Sequence, residues 1–165
     1  MEKELITQSL INCRQQTLGL FNHLNKATFC HQIHPDFSPI GWHLGHIAFT
    51  EELWILRHLA KKTPIFKQYH KLFAADGLPK NERGNLPSLS EIKFYLDTVR
   101  KDVLSYLETN PLQEEKLWMF MIQHECQHNE TMRLLLQLQQ VKNEKIGCSH
   151  SPHPPTPSPT GEGEK

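Results

Sequence analysis

The sequence predicts an all-α protein, a four-helix bundle over residues 1–140 followed by a disordered tail over 141–165. Three observations carry that reading. Four stretches place apolar residues at helical spacing, and strand-like alternation is weak throughout. Proline pairs and capping signals separate those stretches at definite points. The last 15 residues, SPHPPTPSPTGEGEK, contain five prolines and no residue of the AVILMFWYC set, so nothing there can join a core. A chain of 165 residues is long enough to bury one core without disulfides.

The first helix is expected over residues 2–26, with Leu10, Leu18, Phe21 and Leu24 inward. The two prolines in HQIHPDFSP forbid its continuation. Ser38 then reads as an N-cap with Pro39 at the first helical position, opening a second helix to residue 62, before Pro64. An irregular connection follows over 63–87. Ser88 and Glu91 form a capping-box pattern that starts the third helix, with Ile92, Leu96, Val99, Val103 and Leu107 facing inward. Asn110-Pro111 ends it, and a fourth helix is expected over 112–140. The short link between helices 3 and 4 favours an antiparallel pair, whereas the long 2–3 connection can cross the bundle, giving up-down-down-up order.

Composition narrows the function. Eighteen Lys+Arg balance 18 Asp+Glu without a basic block, which argues against nucleic acid as a partner. No apolar run approaches a membrane span, and the N-terminus lacks a signal-peptide pattern, so a cytoplasmic location is expected. Four cysteines without CxxC spacing fit reduced thiols. The unusual count is histidine, 11 in all.

Periodicity selects among those histidines. The fourth-helix stripe reads Leu117, Met121, His124, His128, Thr131, Leu135, Leu138, and the second-helix stripe Pro39, Trp42, His46, Phe49, Leu53, Leu56, Ala60. His46, His124 and His128 therefore face inward, with His43 beside the seam and His58 outside it. Burying an imidazole is costly unless its nitrogens find partners. The His-x-x-x-His spacing stacks two rings one turn apart, and a third from a facing helix completes a three-nitrogen face for one metal ion. Such neutral ligands leave the ion its full charge and open positions. HECQH also matches the H-E-x-x-H protease pattern superficially, but Glu125 points about 100° away from the histidine face. Cys126 also faces away, and Glu52 is a candidate outer partner for His46.

DFSPIGWHLGHIAFTEELWILR and HECQHNETMRLLLQL resemble the two iron-ligand segments of the ergothioneine-biosynthesis sulfoxide synthases, and NERGNLPSLSEIKFYLDTVR resembles their linking segment and third helix. The similarity covers residues 6–140. It implies a DinB-like four-helix bundle, an oxidoreductase, and iron(II) held by His46, His124 and His128. It also implies a small-molecule thiol and a trimethylated histidine as substrates, with Gln127 near the latter and Arg83 in the segment that binds the thiol's carboxylates. His43 takes a place where relatives carry another polar residue. The resemblance assigns no catalytic side chain within this chain.

Relatives continue into a second domain, resembling the formylglycine-generating-enzyme fold, that supplies a tyrosine proton donor. The expectation here is a truncated chain that keeps the metal site, with a separately encoded second domain among its expected partners. A DinB-like thiol-dependent transferase with zinc or nickel in the same histidines is the alternative, since fold does not fix chemistry.

Overall fold

The computed structural model describes residues 2–21 and 24–148, with backbone alone for 145–148. Helix α1 spans Glu2–Leu20, α2 Lys26–Cys30, α3 Ile40–Glu51, α4 His70–Phe73, α5 Leu89–Thr109 and α6 Glu115–Cys148. No strand occurs among the described residues. Helices α1, α3, α5 and α6 form the bundle. Their directions follow from cross-contacts: Lys3 reaches the carbonyl of Glu108 and Arg14 that of Leu96, so α1 and α5 are antiparallel. Cys13 meets Cys126 and Thr17 meets Asn129, so α1 and α6 are parallel. His43 meets His128 and His46 meets His124, so α3 opposes α6. The order is up-down-down-up, as the loop lengths predict.

Sequence expectation and structure part company at three boundaries and on one helix face. Helix α1 stops at Leu20 rather than residue 26, because Asn25 accepts the Thr28 N–H at 2.8 Å and starts α2 anew. Its inner face is Ile6, Leu10, Cys13, Arg14, Thr17 and Leu20, turned from the expected one by two polar residues with buried partners. Ser38 does not cap α3; its hydroxyl accepts from Arg83 at 2.9 Å instead, and the helix opens after Pro39 with no side-chain cap. Helix α6 continues to Cys148, so the expected domain boundary at residue 140 falls inside it. The expected tail over 149–165 lies outside the described residues. By contrast, both hydrogen bonds of the Ser88–Glu91 capping box are present, and all five expected inward residues of α5 are buried.

Every residue of α3 is buried, which two glycines make possible. A Cβ on Gly41 would lie 2.6 Å from the Phe29 ring, and one on Gly45 would lie 2.2 Å from the Phe73 ring. After Glu51 the helix widens into π turns over Glu52–Leu59. Such widening re-aims side chains and is frequent beside functional sites.

Four charged residues, one from each bundle helix, meet at the centre. Arg14 donates to Glu125 at 2.7 Å and Glu51 at 2.8 Å; Arg100 donates to Glu51 at 2.6 Å and Glu125 at 2.5 Å. Each arginine also caps a carbonyl of the other's helix, Arg14 that of Leu96 and Arg100 that of Leu10. Two positive and two negative groups cancel, as the cost of burying charge requires. Burial alone would raise the Glu125 carboxyl, but Arg14 and Arg100 overrule it and hold it at about 2. Tyr95 closes a second polar contact, its hydroxyl donating to Glu52 at 2.7 Å.

Candidate metal centre

His46 on α3 faces His124 and His128 on α6. The Nε2 atoms of His124 and His46 are 3.3 Å apart and those of His128 and His124 are 3.1 Å apart; one nitrogen from each ring falls within a 4.8 Å cluster. Nitrogens bound to one ion at about 2.0–2.1 Å with tetrahedral angles stand about 3.3 Å apart, so the spacing suits a common ion.

The outer nitrogens explain why Nε2 is the atom presented. The Phe73 carbonyl lies 2.6 Å from His46 Nδ1. A carbonyl only accepts, so the hydrogen sits on Nδ1 and Nε2 keeps its lone pair. Trp42 stacks on the same ring, centroids 4.5 Å apart and planes 12° from parallel. Trp42 is fixed in turn by its Nε1–H to the Leu72 carbonyl at 2.7 Å and by the Arg83 guanidinium 4.0 Å from its ring centre. His128 presents Nδ1 to Nδ1 of His43 at 2.9 Å.

Electrostatics keep these rings neutral. Burial lowers the pKa of His46, and burial together with neighbouring His46 holds His124 at about 4. His128 is pushed lower still, first by burial and then by the adjacent rings, while His43 is held at about 4 by burial and His46. Neutral imidazole is the form that binds metal. The same shifts bear on folding. An unfolded histidine titrates near 6.5, so below that pH the unfolded chain takes up protons that the folded chain refuses. Stability is therefore complete above about pH 6.5 and is lost as pH falls toward 4. The metal-free protein should lose roughly 5–10 °C of Tm between pH 7 and pH 5. Thermal unfolding at both values checks this; an unchanged Tm would mean that the rings are solvated.

The remaining sequence candidates fall in different places. Gln127 is exposed on the rim and lines a shallow depression with His128, Glu130, Thr131 and Leu134. A second depression is lined by His46, His124, Phe49, Trp54 and Phe120. Arg83 is 7% exposed, and its donors engage Leu78 O, Ser38 Oγ and Ala75 O within the long connection. Glu125 is absorbed by the central charges and cannot serve as the base of an H-E-x-x-H protease. Glu52 turns from His46 to Tyr95 and to the Ile65 N–H. Cys126 packs its sulfur 3.0 Å from that of Cys13. Two participants escaped sequence reading: the Phe73 carbonyl, which no side-chain pattern reveals, and the pairing of His43, whose place beside the seam was the available signal.

The family model described as the DinB superfamily matches residues 9–132. The chain belongs to the DinB superfamily. It is also 34% identical over 143 residues to the hercynine oxygenase of Mycolicibacterium smegmatis, covering 84% of this chain and 33% of that protein. The hercynine oxygenase of Mycobacterium tuberculosis is 34% identical over 140 residues, covering 82% of this chain and 33% of that protein. The chain thus spans about one third of the length of these curated relatives. No helix among the described residues is long and apolar enough to cross a membrane.

Within this DinB-superfamily bundle the site lies between α3 and α6, with the α4 segment behind His46. The Gly45–Phe73 contact brings that segment close enough to place its carbonyl on the ring.

Proposed function

We propose that this bundle holds one iron(II) ion on His46, His124 and His128 and serves hercynine-oxygenase chemistry. In that chemistry a small-molecule thiol is joined to a trimethylated histidine with dioxygen. The observation that carries the reading is the convergence of three Nε2 atoms, with the outer nitrogen of His46 already tied to a carbonyl. The ion would supply oxygen activation and a site that orients the thiolate. The chain's own residues set the stage for it. Phe73 and Trp42 fix the His46 ring, and Gln127 stands on the rim beside His128, where the resemblance puts the trimethylated histidine. Arg83, to which the resemblance gives the thiol's carboxylates, is engaged in holding Trp42 behind His46, and we assign it that task. A cytoplasmic setting with reduced thiols belongs to the same reading.

Loaded anaerobically, the full chain should hold one equivalent of iron(II). His46→Ala, His124→Ala and His128→Ala should each weaken binding by at least about 100-fold, with His58→Ala unchanged; equal losses in all four would refute the ligand assignment. Metal analysis of the purified chain and its variants is the measurement. Trimethylated histidine, cysteine or γ-glutamylcysteine, iron(II) and air then test the reaction, read by mass spectrometry for the sulfoxide. Because His124 and His128 are half-buried beside open depressions, water is poorly excluded and little turnover is expected from this chain by itself. Activity that rises when a separately produced second domain is added would support a divided enzyme. Retention of zinc or nickel with thiol transfer and no oxygen dependence would favour the transferase alternative, which the same three neutral ligands would serve.

A further inference from the structure

His43 lies on α3 three residues before His46 and is 7% exposed. Its Nδ1 is 2.9 Å from Nδ1 of His128, so the two nitrogens share one hydrogen: one ring donates and the other accepts. His128 Nε2 converges with His124 and His46, and a ligand nitrogen must present a lone pair. The hydrogen of His128 therefore sits on Nδ1, which makes that ring the donor and His43 Nδ1 the acceptor. His43 must then carry its own hydrogen on Nε2. That nitrogen is buried and has no hydrogen bond of full geometry among the described residues, the ring being helped only by the Ser38 backbone. Leaving a buried N–H poorly satisfied is unfavourable, and a leucine of similar bulk would avoid that cost. A histidine kept at such a position needs a reason, and the contact with His128 supplies one.

We propose that His43 is a positioning residue of the metal centre: its Nδ1 accepts the His128 Nδ1–H, fixes the tautomer and tilt of that ring, and aims Nε2 at the ion. The inference rests on the three-histidine reading and adds to it. It gives His128 what the Phe73 carbonyl gives His46, an outer acceptor of the kind that orients metal-bound imidazoles. His43 is not a fourth ligand, because the nitrogen it directs toward the cluster is engaged with the outer nitrogen of His128. The Trp42 ring packs edge-on against it, centroids 5.5 Å apart, and holds it in place.

Cobalt(II) binding to the full 165-residue chain tests this, read as affinity by competition and as visible ligand-field bands. His43→Leu should weaken binding by about 10- to 100-fold and alter the bands, whereas His43→Asn, whose Oδ1 stands near the place of Nδ1, should stay within about threefold of the parent. Unchanged affinity and bands in His43→Leu would overturn the proposal, as would equal weakening in both variants, since that would point to packing alone. Should His43→Leu fail to fold, long-range proton–nitrogen NMR of the zinc-loaded parent decides instead. The expected result is hydrogen on Nδ1 of His128 and on Nε2 of His43, and the reverse pair overturns the proposal. A parent chain that binds neither ion would refute the three-histidine reading itself and this inference with it, an outcome distinct from failure of His43 alone.

Discussion

Replacing Arg100 by methionine should destabilise the bundle by about 3–5 kcal/mol and lower its Tm by roughly 10 °C. Arg100 donates to both Glu51 and Glu125 at the centre and caps the Leu10 carbonyl, all in a space closed to water. Without it the two carboxylates share Arg14 alone, leaving one net negative charge buried. Methionine fills similar volume, so the loss reports on charge rather than on a cavity. The variant Arg100→Met combined with Glu51→Gln should be less destabilised than the sum of its parts, because it removes the excess charge. Denaturant unfolding of the four proteins measures the coupling. A single-variant loss below about 1 kcal/mol would mean that the centre is hydrated in solution.

Gly45→Ala should produce the second large effect. The added methyl would lie 2.2–2.6 Å from ring atoms of Phe73, a side chain wholly shielded from solvent. The ring has little room to yield, because Tyr69 and Tyr95 pack at centroid distances of 5.5 and 6.3 Å. Overpacking of this kind costs about 1–3 kcal/mol. A shift of the α4 segment also carries the Phe73 carbonyl away from His46 Nδ1, so metal affinity should fall by about 10-fold or more. Gly19→Ala is the control: nothing lies within 4 Å of the added atom, and α1 should gain about 0.5–1 kcal/mol. Calorimetry and metal titration read both effects. Equal Tm values for the two variants would show that Phe73 is not seated against Gly45.

What the sequence disclosed and what it withheld share one physical cause. Helix α5 was legible because its inner face is apolar throughout and its start is written in Ser88 and Glu91. The three clustered histidines were legible because they interrupt largely apolar stripes on two helices. Helix α1 departs from its expected face because Arg14 and Thr17 point inward, and a polar residue gains an interior place only from partners on other helices. Glu51 follows the same rule: its inward place on α3 depends on Arg14 and Arg100, which lie on other helices. Backbone acceptors such as Phe73 O carry no side-chain signature at all. Helix α6 outruns its expected end because lysine, asparagine and glutamate after residue 140 are polar yet compatible with an exposed helix.

X-ray absorption of the zinc-loaded full chain counts the atoms around the ion and so decides the three-histidine assignment. The expected shell has three imidazole nitrogens at about 2.0–2.1 Å, reduced to two in His128→Ala. A shell containing sulfur at about 2.3 Å, or one unchanged by His128→Ala, would contradict it.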